Sequence, residues 1–95
     1  MDISIKKDLA SNWFKLLQNA ICDDILKIEK NKVNFQSTSW KRSGKKDEGG
    51  GEYRILKNGK IFEKVGVNFS KVYGKFPKQF QKNIPGASKN PRFWA

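Results

Sequence analysis

The chain has 95 residues and a net charge of +11, because 20 Lys and Arg residues stand against nine Asp and Glu residues. This length allows one domain with a thin core. No apolar run reaches the roughly 18 residues that span a bilayer, and no secretory signal pattern precedes Lys7. One cysteine and no histidine exclude an internal disulfide and a zinc site built on Cys22. We expect a soluble protein of a reducing cytoplasm with an anionic partner and no membrane.

The first periodic segment lies between Asp8 and Lys30. Its apolar residues recur at three- and four-residue steps, which predicts an amphipathic helix with one buried face. We expect Trp13 to lie in the core and Cys22 to be inert, since no His is present to activate the thiol. The apolar face comprises Leu9, Trp13, Leu16, Leu17, Ala20, Ile21, Ile25 and Ile28.

A strand and a loop are predicted next. Alternation of apolar and polar residues from Val33 to Trp40 predicts a strand. The segment from Ser43 to Gly51 is rich in glycine and charge, which predicts a mobile surface loop. Its last three glycines, 49–51, could bring backbone amides to an anion or form a flexible entry to the next strand.

The sequence KNGK at 57–60 is the clearest turn signal. Asn-Gly between extended segments is typical of a two-residue type I′ turn, in which both central residues have positive φ. It predicts an antiparallel hairpin of residues 52–57 and 60–73. In this register Arg54 faces Glu63 as an opposite-charge pair.

The second arm of this hairpin has two mixed faces. One face comprises Phe62, Lys64, Gly66, Asn68, Ser70 and Val72, and the other comprises Ile61, Glu63, Val65, Val67, Phe69, Lys71 and Tyr73. Large apolar groups on both faces favour a sheet that is covered on both sides. The small residues could line a ligand cavity in which Lys64 meets a carboxylate, or they could simply allow close packing.

The last residues, 92–95, read as the start of an apolar strand after a turn-rich segment. A self-contained domain seldom ends in this way, because exposed apolar edges promote aggregation. We therefore expect the chain to be the front part of a larger domain.

A nucleic-acid-binding module is the alternative. A basic surface with interleaved aromatic side chains can bind phosphates and stack on bases. Similar spacings also occur in cores, and a degenerate chain without its own function remains a third hypothesis. The aromatic residues in question are Tyr73, Phe76, Phe80, Phe93 and Trp94.

An ordered series of motifs runs through the chain: WKR at 40–42, GGG at 49–51, RIL at 54–56, IFEKVGVNFS at 61–70 and VYG at 72–74. This series resembles the N-terminal part of the oxygen-dependent coproporphyrinogen III oxidases. The resemblance covers about residues 9–95 and departs from the family pattern in two places. Residues 45–48 (KKDE) are interposed before the glycines, and Tyr73 stands where many relatives have His.

The resemblance implies a fold and an activity. The fold would be α+β: an N-terminal amphipathic helix followed by antiparallel strands and a hairpin, the start of a large antiparallel sheet covered by helices on both faces. Residues 1–95 would be the N-terminal part of a single, truncated domain. The enzyme would decarboxylate two propionates of coproporphyrinogen III oxidatively, giving protoporphyrinogen IX in heme biosynthesis, as a cytoplasmic homodimer. Molecular oxygen would be the co-substrate, and no metal or organic cofactor is implied.

The resemblance assigns few site residues to this chain. The family's catalytic groups are expected downstream of Ala95, so we name no catalytic residue and expect the isolated chain to be inactive. Candidate substrate contacts, for the cavity or the propionates, are Arg42, Lys64, Asn68 and Ser70.

Overall fold

A computed structural model describes residues 2–30 and 32–95. One long helix is followed by four antiparallel strands in a single sheet of order β1-β2-β3-β4, which confirms the predicted α+β class. Within the described ranges, no helix has the length and apolar character needed to cross a bilayer. The elements are α1 (Ile3–Glu29), β1 (Gln36–Lys41), β2 (Gly49–Lys57), β3 (Lys64–Lys75), α2 (Lys78–Gln81) and β4 (Arg92–Trp94).

The chain forms two compact units. The first unit contains the residues up to Ser39 together with Glu52–Phe69, and the second contains Trp40–Gly51 and Ser70–Ala95. The first unit therefore includes α1 and the hairpin loop. The second includes α2 and β4.

Helix α1 begins earlier than predicted because of a local cap. Asp2 has extended φ and ψ, and its carboxylate accepts hydrogen bonds from the Ser4 backbone and hydroxyl at 3.3 and 2.9 Å. These bonds satisfy an N–H that the first turn leaves free. At the other end Lys30 adopts a left-handed conformation with φ of 53°, which ends the helix.

The prediction that the apolar face of α1 is buried is wrong. Trp13 and Leu16 are each 61% exposed, and of the predicted face only Ile25 is even half-buried. The buried residues of α1 are instead Ser11, Gln18, Cys22 and Glu29.

Hydrogen bonds explain why this polar side of α1 lies against the sheet. The Gln18 side-chain amide donates to the carbonyls of Glu52 and Val67, both at 3.0 Å, and so joins α1 to β2 and β3. Buried polar groups are stable when they are paired in this way. Among the described residues of the first unit, Leu56 is the only large side chain that is fully buried, so this interior is thin.

The hairpin is confirmed, but its turn and register differ from the prediction. Asn58 has the expected positive φ of 61°, whereas Gly59 is not among the glycines with positive φ. The Asn58 N–H donates to the Glu63 carbonyl at 2.8 Å, and β3 begins only at Lys64. The predicted pairing of Arg54 with Glu63 is therefore wrong, and Arg54 forms its ion pair with Glu52 at 3.0 Å.

The carboxylate of Glu29 is the cause of the longer loop. It accepts backbone N–H groups from Lys60, Ile61 and Phe62, at 3.0 to 3.2 Å for the latter two. Burial opposes ionisation of this group, but these three N–H groups outweigh it and hold the pKa of Glu29 below its ordinary value. Backbone N–H groups that would otherwise extend the hydrogen bonding between β2 and β3 are thus bound by a residue in the last turn of α1.

The glycine run begins β2 instead of ending a mobile loop. Gly49 has φ of 90°, and a Cβ there would lie 2.1 Å from the carbonyl oxygen of Lys71. A Cβ on Gly50 would lie 2.2 Å from the carbonyl oxygen of Trp40. The glycines are therefore needed for close approach of neighbouring strands. The first strand also differs from the prediction, since it runs over Gln36–Lys41.

The second unit contains the strand predicted near the end of the chain. β4 pairs antiparallel with β3, with Gly74 opposite Phe93. The rings of Phe93 and Phe76 stack with centroids 4.7 Å apart. Of the five aromatic residues in the nucleic-acid hypothesis, only Phe80 is largely exposed, which leaves that hypothesis little stacking surface.

Candidate functional site

The sheet of the first unit has one face that α1 does not cover. Along β2, Leu56 is fully buried and points toward α1, and Arg54 lies two residues away on the same side of the strand. Because side chains alternate along a strand, Tyr53, Ile55 and Lys57 point to the opposite side. We call this opposite side the open face.

The same alternation places two predicted residues on the open face. Val67 and Phe69 are half-buried, and the Lys15 ammonium of α1 lies 5.7 Å from the centre of the Phe69 ring. These two side chains therefore point toward α1. Lys64, Gly66 and Asn68 alternate with them and are exposed. Lys64 and Asn68 are therefore available to a ligand on the open face.

Gly66 leaves space on the open face. A Cβ built there would meet only Asn68 Oδ1 at 3.8 Å and the Arg54 carbonyl at 3.9 Å. These are ordinary van der Waals distances, so packing within this chain does not require a glycine at position 66.

A groove of about 320 Å³ extends over the open face in the first unit. Sequence reasoning missed it, although the alternation of Tyr53, Ile55 and Lys57 along β2 could have indicated it. Lys57 supplies its one formal charge, which is positive. The lining residues are Val33, Asn34, Gln36, Thr38, Tyr53, Ile55, Lys57 and Asn58.

The remaining predicted contacts belong to the second unit. Ser70 is exposed and continues the two-residue spacing of Gly66 and Asn68 along β3. Arg42 is already engaged: its Nη1 donates to the Tyr73 carbonyl at 2.9 Å and lies 3.3 Å from the Glu48 carboxylate. Its guanidinium also lies 5.1 Å from the centre of the Phe93 ring. Arg42 therefore has a structural role in this unit, and its charge is partly neutralised.

Tyr73 contacts the segment of residues 45–48 (KKDE). Its hydroxyl donates a hydrogen bond to Asp47. This bond is the first cause of a lowered pKa at Asp47 and a raised pKa at Tyr73. The neighbouring Glu48 carbonyl accepts the Tyr73 N–H at 3.1 Å. Residues 45–48 are thus joined to β3 through Tyr73.

Cys22 lies on the opposite side of the sheet from the groove. It is buried, and burial raises the pKa of its thiol against the hydrogen bond and charge of Arg54. A protonated thiol is a poor nucleophile. This finding supports the interpretation of Cys22 as inert.

The long helix, the antiparallel sheet and the lysines on the open face together define an α+β protein. A profile of the coproporphyrinogen III oxidases matches residues 10–95, so the chain belongs to this family.

Curated relatives support the same assignment. The chain is 41% identical over 97 aligned positions to the oxygen-dependent coproporphyrinogen-III oxidase of Rickettsia felis, 40% to that of Rickettsia akari and 39% to that of Rickettsia typhi. Each alignment covers 94% of this chain and 33% of the relative. The chain therefore spans about a third of the length of these relatives. No solved structure matches it significantly.

Proposed function

We propose that this chain supplies the N-terminal third of an oxygen-dependent coproporphyrinogen III oxidase domain. The observation that carries the proposal is the family match, which extends over residues 10–95. The completed enzyme would decarboxylate two propionates of coproporphyrinogen III with molecular oxygen as co-substrate, giving protoporphyrinogen IX. We place it in the cytoplasm as a homodimer, in keeping with the family resemblance.

The open face would contribute substrate contacts. Coproporphyrinogen carries carboxylates, and an exposed ammonium such as that of Lys64 can form a charge-assisted hydrogen bond with one. Asn68 can donate a further hydrogen bond, and Gly66 leaves room for part of the macrocycle beside the strand. In the second unit, Ser70 is a further candidate hydrogen-bond donor. Arg42 is the weakest of the four candidates, because the Tyr73 carbonyl and the Glu48 carboxylate already engage its Nη1.

An activity assay tests the proposal. We expect the chain alone to give no protoporphyrinogen, because the resemblance implies that the positioned groups that accelerate the reaction lie downstream of residue 95. A chimera in which the C-terminal two thirds of the Rickettsia felis relative follow residue 95 should be active. The measurement is porphyrin fluorescence after oxidation of the product. Turnover by the chain alone, or an inactive folded chimera, would contradict the proposal.

Variants of the chimera test the open face. Gly66→Ala adds one methyl group that this chain accommodates, so thermal stability should not fall, whereas KM should rise if substrate lies beside it. Lys64→Gln should raise KM by roughly tenfold or more through the lost charge-assisted bond. Lys82→Gln removes an exposed charge elsewhere and is the control. Unchanged KM in both open-face variants would remove the substrate role from this face.

A further inference from the structure

Helix α1 exposes a long apolar face on the side away from the sheet. Its large apolar residues are between 37% and 63% exposed and follow the helix through most of its 27 residues. Soluble monomers rarely expose contiguous apolar patches of more than a few hundred Å². We call this surface the outer face of α1; it comprises Ile3, Ile5, Leu9, Trp13, Phe14, Leu16, Leu17, Ile21 and Ile28.

The position of α1 does not depend on this face. Gln18 joins the helix to the backbone of two strands, and Glu29 joins it to the hairpin loop. Both residues lie on the opposite side of α1 from Trp13 and Leu16. The outer face is therefore presented by a helix that other contacts already hold in place.

We infer that the outer face of α1 is the docking surface for the remaining two thirds of the oxidase domain, an inference that rests on the proposed function. The family match begins at residue 10, so most of α1 belongs to the family domain. The aligned part is only 33% of each relative, so those proteins have about twice as much additional chain that is available to cover this helix. An apolar helix face is the kind of surface that such packing buries.

A second copy of this chain fits the outer face less well. Each chain carries a net charge of +11, and pairing two of them would bring together like charges that resist association. A polypeptide of different composition has no such penalty.

Cysteine labelling tests the inference on neighbouring residues. Ala20 lies between the large apolar residues of the outer face. Asn19 lies about 100° from Ala20 around the helix axis, beside that face. Both residues are exposed. In the chain alone, Ala20→Cys and Asn19→Cys should react with a maleimide at similar rates, while buried Cys22 contributes the background. In the chimera with the C-terminal two thirds of the Rickettsia felis relative, the labelling rate of Ala20→Cys should fall by roughly tenfold or more. The rate of Asn19→Cys should change little.

A second variant measures the same contact through stability. Leu16→Asp should leave the unfolding temperature of the isolated chain unchanged, because the side chain is 61% exposed there. In the chimera it should lower that temperature clearly, while Asn19→Asp should not. Equal labelling of Ala20→Cys in chain and chimera, or a chimera that does not fold, would overturn the inference.

Other occupants give different results. A concentration-dependent dimer of the isolated chain that Leu16→Asp abolishes would identify a second copy and overturn the inference. Vesicles of phosphatidylcholine and phosphatidylglycerol can also be added to the isolated chain. If they slow the maleimide labelling of Ala20→Cys more than the chimera does, the inference is overturned as well. The oxidase assay separates the two proposals. An active chimera in which Ala20→Cys is labelled freely would contradict only the docking surface. An inactive chimera in which Ala20→Cys is protected would contradict only the proposed function.

Discussion

The two units of the chain use different groups to fill their interiors. In the first, the side of α1 that faces the sheet is largely polar, and Gln18 and Glu29 bind backbone groups of the strands and the loop. In the second, the stacked rings of Phe76 and Phe93 lie beside the guanidinium of Arg42. The first arrangement depends on hydrogen-bond geometry and the second on aromatic and cationic contacts. They should therefore respond differently to mutation and to pH.

The largest loss should follow Leu56→Ala in the first unit. Leu56 is fully buried, and replacing such a leucine by alanine typically costs about 2 to 5 kcal/mol. A domain of this size has about 5 to 15 kcal/mol in total, so the change removes a large share of the stability and should lower the unfolding midpoint strongly, as measured by circular dichroism. The matched change in the second unit is Ala87→Gly, at a residue 2% exposed, which removes less volume and should leave a cooperative unfolding transition.

Gln18→Met should give the next largest loss. The thioether retains the approximate length of the side chain but donates to neither carbonyl, and an unpaired buried acceptor costs about 1 to 3 kcal/mol. Chemical denaturation should show the lower free energy of unfolding. Gln18→Glu should be worse at neutral pH, because a carboxylate would face two carbonyl oxygens. Equal stability of the two variants would contradict the bridging role.

Glu29→Gln should produce a loss that depends on pH. The lowered pKa of Glu29 means that its contribution is complete above the ordinary carboxyl pKa of about 4.3 and disappears as the pH falls through the lower pKa of the folded state. Wild type should thus be more stable than the variant at pH 7, and the two should converge only once the pH has fallen below the lowered pKa of the folded state. Unfolding temperatures measured from pH 7 to pH 3 would show this, and a constant difference would refute it.

The smallest effect should come from Arg42→Lys in the second unit. Arg42 and Glu48 are both partly exposed, and such ion pairs contribute less than about 1 kcal/mol. Lysine keeps the charge but loses the planar group that lies over Phe93. We expect a small drop in unfolding temperature that added salt does not remove. A loss as large as that of Gln18→Met would show that the units do not differ in the way described.

Local patterns predicted the elements of the fold better than their contacts. The helix, the hairpin near Asn58 and the strand at Arg92 follow from periodicity and turn chemistry, and all are present. The start of α1 at Ile3 could also have been predicted, since Asp2 and Ser4 form a recognisable cap. Boundaries set by distant residues could not be predicted in this way.

The errors have one physical origin. Periodicity identifies an apolar face but not what it packs against, so Trp13 was expected in the core although the side that contacts the sheet is polar. The turn rule likewise considers only Asn58 and Gly59, whereas Glu29 of α1 determines how far the loop extends. For the candidate site, alternation along β3 correctly separated Lys64 and Asn68 from the half-buried residues. Their role as substrate contacts stays a prediction.

The carboxylate that binds the hairpin loop also has a consequence for how the chain folds. A short hairpin normally closes within microseconds from neighbouring residues alone. Here Lys60 depends on a group 31 positions upstream, so the loop acquires its final form only after the end of α1 has formed and reached it. Contacts between residues so distant in sequence slow folding, because the intervening chain must first be ordered. We therefore expect Glu29→Gln to uncouple the hairpin from the helix, so that the loop exchanges its amide hydrogens early while the Gln18 contacts persist.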